Sequence, residues 1–533
     1  MPKNIGVLTT GRIVPDDLAK VFGKLPISFL PYKGKRIIDW QTESLISKAN
    51  LDKLYVLFPN KEWGKQYKFE SRETDIEYIY VNPKHSLNQI ISGEFDFFKL
   101  ENYTNLILYH GDILIRPDDL ANLVSTKGSV SVTASHVSDH SNDYPKTKYG
   151  YHLGLVKYNN PKDFISCMSR YKTFWDFMEK HFSDKEACYS VNNSYLSSIN
   201  FSEFTDSRSK DFMSRSFNNV MKHENRIIKK SNRKEKIVSE YMWYQKTPDF
   251  LKNNTPKVYN LVTDENHASY EMDYINSVSL SDIFVFGNQN DEFIETCLKK
   301  IYFYIDTNIN FINHDKNKFS NKNMIKDLFI NKTIDRLDLY KEEDKDILKS
   351  FSIDTNSLKE KLKIIDKFFH KKENINSMIY WHGDFCFSNI LYEPFQDKIF
   401  FIDPRGHMET NTGLLFYDIC KLGHSIIGGY DFIMALSNHD FNRLEDILGE
   451  DFNLDNFSNG LFKLQSQRSF IMYVKKLGYN IDEILLGIGL LFISMIPLHT
   501  GKNCKKYLIK RGYDFLKYGE ILQNTSTGSR KIQ

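Results

Sequence analysis

The chain has 533 residues, 71 of them Lys or Arg and 68 Asp or Glu, for a net charge of +3. That length exceeds one ordinary core and predicts two or three domains, and so even a charge balance argues against a broad nucleic-acid or membrane-charge footprint, leaving small molecules and nucleotides as the expected partners. With 14% aromatic residues and six cysteines that form no C-x-x-C pair, the composition suits a packed enzyme and argues against a zinc site, a disulfide scaffold or a disordered adaptor.

Met1-Pro2-Lys3 leads directly into an apolar strand without the regions of a secretory signal, so a reduced, cytoplasmic chain is expected. Strand candidates then follow at residues 5–8, 53–58, 76–81, 106–109, 129–134 and 152–157, with helical spacing near 36–48, 87–98 and 161–182. Strands separated by helices predict an α/β, Rossmann-like and mainly parallel sheet over residues 1–204. Ligands of open α/β sheets sit at strand C-terminal ends, which makes Gly11, Arg12 and Lys35 candidate nucleotide contacts. Asp112, in His110-Gly111-Asp112 at the end of another apolar strand, is a candidate ligand for a divalent metal.

Residues 205–217 are polar and aperiodic and read as a linker or a substrate-facing loop. Beyond them a hairpin is expected at 219–221 and 226–230, a helix at 236–245, and strands at 257–262 and 268–275. This order suits a small lobe (218–285) in which a strand Lys neutralises nucleotide phosphates, a helix Glu holds that Lys, and a later strand offers backbone groups to a purine edge. The candidates are Lys229 or Lys230, of which strand alternation lets only one face the cleft, then Glu240, and Glu271 with Asp273. Lys229 is favoured because it shares a face with Ile227.

Residues 286–523 show mostly helical spacing and form the expected large lobe, with 524–533 a flexible tail. Residues 484–498, the longest apolar run, fall short of the roughly 20 residues a membrane span requires and read as a buried helix. Within this lobe lies WHGDFCFSNILYEPFQDKIFFIDPRG, from Trp381 to Gly406. Phosphoryl transfer needs a carboxylate near the attacking hydroxyl and further oxygen ligands that hold Mg²⁺ against nucleotide phosphates, and an H-x-D-x-x-x-x-N loop plus a later Asp supplies both. Asp384 is therefore the candidate catalytic base, Asn389 and Asp403 the candidate metal ligands, and His382 and Asp418 supporting residues.

The first half, through the Gly11 turn, Leu30-Pro31, Gly34-Lys35, Ile37-Ile38, Gln41 and Gly111-Asp112, resembles nucleotidyltransferases of the GT-A type, which join a nucleoside triphosphate to a sugar or alcohol phosphate. It departs from them where a Lys usually precedes the Leu-Pro pair, a place held here by Ile27 or Ser28. Residues 218–520 resemble the aminoglycoside phosphotransferase and choline kinase superfamily, through His382, Gly383, Asp384, Asn389, Ile390 and Leu391, then Ile402, Asp403 and Pro404, then Asp418. That likeness implies a protein-kinase-like, two-lobed α+β domain using ATP and Mg²⁺ to phosphorylate a small alcohol, amino alcohol, polyol or sugar. Arg405-Gly406 and the lack of a clear glycine-rich phosphate loop depart from the pattern. The fusion resembles bifunctional enzymes of bacterial surface-polysaccharide or capsule precursor synthesis, in which a transferase half activates the kinase product, commonly with CTP. Two alternatives stay open: a first half that is a glycosyltransferase or a non-catalytic ligand-binding domain beside an active kinase, and a scaffold of two pseudoenzyme halves.

Overall fold

The computed structural model describes residues 3–526 apart from 66, 68, 70–73, 83–88, 91–102, 135–145, 148, 184–186, 192–194, 198–199, 210–217, 314–322, 373, 407–410, 438–439 and 449–464. The chain divides into two compact units, Met1–Arg208 and Ser209–Gln533. The expected boundary after residue 204 falls inside a helix, Phe201–Ser209, and most of the expected linker and tail lie outside the described residues.

In the first unit the elements that position the site are β1 (Asn4–Thr9), α1 (Ile37–Ala49), β2 (Leu51–Phe58), β3 (Asp75–Tyr80), β4 (Asn105–Tyr109), α2 (Pro117–Ser125), β5 (Val130–Ala134), β6 (Gly150–Asn159) and β7 (Cys188–Val191). They build an eight-stranded sheet of order β3-β2-β1-β4-β6-β5-β7, with the short strand Lys146–Thr147 added beside β6. β3, β2, β1 and β4 are mutually parallel, β6 runs antiparallel to both β4 and β5, and β7 is parallel to β5. β1 is buried along its whole length, as a central parallel strand with both faces covered must be. One face packs Ile5, Val7, Leu57, Leu108 and Val156 against Phe164, Phe177 and Phe182. Because β2 and β4 flank β1 on opposite sides, strand order reverses there, and the loops after β1 and β4 meet at this switch point. The helix expected at 161–182 is two helices, Pro161–Met168 and Phe174–His181, the second restarted by Thr173, whose hydroxyl accepts from the Asp176 amide at 3.0 Å. The helix expected at 87–98 lies largely outside the described residues.

The second unit begins with β8 (Asn218–His223), β9 (Arg226–Ser231), α3 (Lys234–Gln245), β10 (Val258–Thr263) and β11 (Ala268–Asp273), an antiparallel sheet of order β8-β9-β11-β10. There follow α4 (Asp291–Asn313), α5 (Lys332–Leu337), β12 (Met378–Tyr380), β13 (Ile390–Glu393), β14 (Lys398–Phe401), β15 (Thr412–Leu414), α6 (Leu415–Ile426), α7 (Ile481–Met495) and α8 (Lys502–Ser526). Short pairs β12–β15 and β13–β14 frame the polar loops, and helices carry the core. The segment Ile481–Leu498 is long and apolar enough to cross a membrane, yet 83% of it is buried inside the unit, as a core helix would be. Gly423 in α6 lets α7 approach: a Cβ there would lie 2.9 Å from both Ile488 and Phe470 side chains.

Candidate active site

β9 alternates faces, so Ile227, Lys229 and Ser231 are buried while Lys230 is exposed on the other side. Lys229 is thereby the one drawn into the site, and Lys230 is not. Its ammonium contacts the carboxylate of Glu240 on α3 and lies 2.8 Å from Asp403 Oδ1. Glu240 accepts a second hydrogen bond, from the Tyr270 hydroxyl at 2.7 Å, and Tyr270 stands opposite Lys229 in the β9–β11 register. Burial opposes the charge on Lys229, but the carboxylates of Asp403 and Glu240 outweigh it and hold the ammonium more firmly protonated than usual.

Glu271 and Asp273 are not brought into this cluster. Glu271 faces outward, with Arg226 Nη1 at 2.7 Å and the Asn260 amide at 2.9 Å. As β11 is an inner strand, Glu271 is paired with Ile228 on one side and Tyr259 on the other, and the Asp273 amide donates to the Lys257 carbonyl at 3.0 Å. Sheet pairing thus flanks Glu271 on both sides and engages the Asp273 amide.

The loop after β12 is held from beneath by Asp418 in the first turn of α6. Its carboxylate accepts from the His382 amide and from the Gly383 amide, each at 2.8 Å. Burial pushes this carboxyl up to about 7, against the two hydrogen bonds. Gly383 has φ +76, a left-handed backbone that favours glycine. The His382 ring is buried and bonded at both nitrogens: Nε2 to the Ile402 carbonyl at 2.9 Å, and Nδ1 to the Asp384 amide at 3.3 Å. A carbonyl only accepts and an amide only donates, so the ring is neutral with its proton on Nε2. Burial agrees, lowering its pKa to about 4. One imidazole therefore ties the Asp384 loop to the strand end that delivers Asp403.

Asn389 is buried, and its amide nitrogen donates to the Asp384 carbonyl at 2.8 Å and to Asp384 Oδ2 at 3.1 Å. That orientation leaves the amide oxygen as the atom Asn389 can offer to a cation. Asp403 sits at φ +56, where a non-glycine residue is strained, and its amide donates to the Tyr244 hydroxyl at 3.1 Å. Gly406 explains one departure from the expected pattern: a Cβ there would lie 2.3 Å from the Ser239 carbonyl, so glycine lets this loop lie against α3.

Lys421 was not among the expected site residues. It lies one turn beyond Asp418 on α6, and its ammonium is 2.8 Å from Asp384 Oδ1. The three-residue spacing from Asp418 is the sequence signal that could have found it. Tyr244 and Tyr270 likewise serve the cluster, without any local signal in the sequence.

In the first unit the loops after β1 and β4 do converge. Thr9 Oγ1 accepts from the Gly111 amide at 3.1 Å, and Gly11, at φ +73, leaves room for Asp112, whose Oδ1 would be 2.1 Å from an added Cβ. Asp112 is occupied by protein: Oδ1 accepts from the Arg12 amide at 2.8 Å, and Arg12 Nε lies 3.3 Å from Oδ2. Among the described residues no group of three His, Cys, Asp or Glu is placed to hold a metal, in either unit. Lys35 makes its contacts with α1, at 2.5 Å from Glu43 and 4.8 Å from the Trp40 ring centroid.

No family model matches the chain, and no curated protein matches it. Solved structures similar to the N-terminal part include HddC from Yersinia pseudotuberculosis complexed with GMP-PN (13% identity, 40% of this chain and 100% of that chain, TM-score 0.29). Another is a nucleoside-diphosphate-sugar pyrophosphorylase from Vibrio cholerae (8% identity, 38% and 99%, TM-score 0.27). A larger part is similar to a thermostable mutant of aminoglycoside phosphotransferase APH(4)-Ia in ternary complex with ADP and hygromycin B (10% identity, 58% and 96%, TM-score 0.35). These are likenesses of low score and low identity. The fold is α/β: a mainly parallel eight-stranded sheet flanked by helices in the first unit, and a four-stranded antiparallel sheet followed by a mostly helical region in the second.

Proposed function

We propose that the second unit is an ATP-dependent phosphotransferase for a hydroxyl group of a small molecule. The observation that carries this reading is the buried Lys229, gripped by Glu240 and by Asp403 at 2.8 Å, with Asp403 tied through His382 to the Asp384 loop. Lys229 neutralises nucleotide phosphates, Glu240 fixes its position, and Asp384 accepts the proton of the attacking hydroxyl. The acceptor oxygen bonds to the γ-phosphorus as the bond from that phosphorus to the β–γ bridging oxygen breaks, and ADP leaves. Asn389 through its amide oxygen and Asp403 through its carboxylate suit Mg²⁺, which takes one or two protein oxygens and completes its shell with phosphates and water. When bound, the ion neutralises charge on the phosphates.

The first unit then activates the phosphorylated product with a nucleoside triphosphate, CTP in the first instance, at the switch point between β1 and β4. A bacterial surface-polysaccharide precursor is the product class this order of reactions suits. The Arg12–Asp112 pair favours a second reading of that unit, as a ligand-binding domain without catalysis. Mg²⁺-dependent ADP formation from ATP, screened with choline, ethanolamine, polyols and sugars, tests the first proposal: Asp384→Asn must abolish it, and turnover surviving in that variant overturns it. Pyrophosphate release from CTP with the phosphorylated product separates the two readings of the first unit.

A further inference from the structure

The side of Asp384 turned toward the helices is lined by cations. A π-helical stretch, Lys326–Asn331, runs directly into α5 and sets Lys332 and Arg336 one turn apart. Lys332 Nζ donates to the Tyr417 hydroxyl at 2.7 Å. Arg336 Nη1 donates to the Ser494 carbonyl at 2.8 Å, which anchors one edge of the guanidinium. Arg405 passes directly beside Gly383, where an added Cβ would lie 2.7 Å from Arg405 Cβ. Lys421 is bonded to Asp384 itself, at 2.8 Å from Oδ1. These groups sense one another: although burial alone would raise the Tyr417 phenol, Lys332, Lys421 and Arg405 together pull it below its usual range, and Arg336 feels both Arg405 and Asp384.

Among the described residues no ion pair joins Lys332, Arg336 or Arg405 to a carboxylate, and Asp384 Oδ1 is bonded by Lys421. Three clustered cations, two of them partly buried, are unfavourable without a counter-charge. Resting on the phosphotransferase reading above, we propose that the acceptor alcohol carries its own anionic group, a phosphate ester, seated on Lys332, Arg336 and Arg405 beside Asp384. The nucleotide is served from the other side, by Lys229 on β9 with Asp403, and Lys229 responds to Asp403 and Glu240 rather than to this cluster. A phosphate ester, with nearly two negative charges, matches three cations better than a single carboxylate does. Cationic acceptors such as choline are repelled by the same field.

The test uses the full chain with ATP and Mg²⁺, following ADP formation with glycerol 3-phosphate, ribose 5-phosphate, glycerate, glycerol and choline. The phosphate esters are expected to exceed glycerol and choline in kcat/KM by about tenfold or more, and Lys332→Met or Arg336→Met to raise their KM by about tenfold to a hundredfold. Arg336→Lys, which keeps the charge and loses the planar fork, is expected to restore part of this. Preference for glycerol, choline or glycerate overturns the proposal. If no acceptor supports Asp384-dependent ADP formation, the phosphotransferase reading fails by itself. Calorimetric titration with inorganic phosphate then decides the anion site, binding weakened in Lys332→Met supporting it and absence of binding overturning it.

Discussion

In the first unit His110-Gly111-Asp112 presents a carboxylate that is 7% exposed and held by Arg12, whereas in the second His382-Gly383-Asp384 presents one that is 36% exposed and held by Lys421 and Asn389. The same tripeptide closes an apolar strand in each case. In the first, the histidine ring stacks near Phe174 at 6.4 Å; in the second, it is buried and bridges two loops at both nitrogens. The second aspartate is the more exposed, while the first is bonded to the loop after β1. A short polar sequence therefore acquires its chemistry from what packs around it, and the contrast can be broken experimentally.

The largest effect is expected on catalysis. Asp384→Asn should lower ATP-dependent phosphoryl transfer by about 10²- to 10⁴-fold, the worth of a positioned base. Asp112→Asn should leave that rate alone, and a matching loss in steady-state ADP formation would erase the distinction between the two aspartates. Next comes stability. Lys229→Met leaves Glu240 buried without its counter-charge and should cost about 3–5 kcal/mol. Arg12→Met removes a partly exposed partner and leaves the buried Asp112 its bond from the Arg12 backbone amide, so it should cost less, about 1–3 kcal/mol. Hydrogen exchange read separately over each unit measures both.

A third expectation concerns pH, where the units should behave alike. His382 and His152 are each pushed down to about 4 by burial, from an ordinary 6.5. The unfolded chain therefore binds these protons first, so each residue's contribution is whole above pH 6.5 and is lost as pH falls toward 4. Each is worth about 3 kcal/mol over that window. Denaturant titrations from pH 7 to 4 should show the slope, with His382→Gln flattening it in the second unit and His152→Gln in the first; an unchanged slope in both variants would show the rings are not held neutral. The smallest effect is expected at the glycines. Gly11→Ala and Gly383→Ala should each cost about 1–2 kcal/mol for left-handed backbone. Gly11→Ala should be the worse, because its methyl meets a buried carboxylate whereas that of Gly383 meets the exposed Arg405 chain. Melting temperatures rank them.

Much of the candidate site was legible because its parts are local. The spacing of His382, Asp384 and Asn389, and the apolar run ending at Asp403, lie within one stretch of chain, and strand alternation alone separates Lys229 from Lys230. That Glu271 and Asp273 lie apart from the Lys229 cluster was not legible, because alternation cannot tell an inner strand from an edge, and β11 is paired on both sides. The Arg12–Asp112 pairing was not legible, because nothing near Asp112 in sequence announces a partner 100 residues away.

Period and spacing thus determined the strands, the helices and the polar loop around Asp384, since these depend on neighbours a few residues apart. Only the tertiary structure decided which charges meet: Lys229 with Asp403 across 174 residues, and Lys332 with Tyr417 across 85. Such meetings depend on which faces bury together, and the Coulomb energy that gives them function exists only once water has been excluded between them.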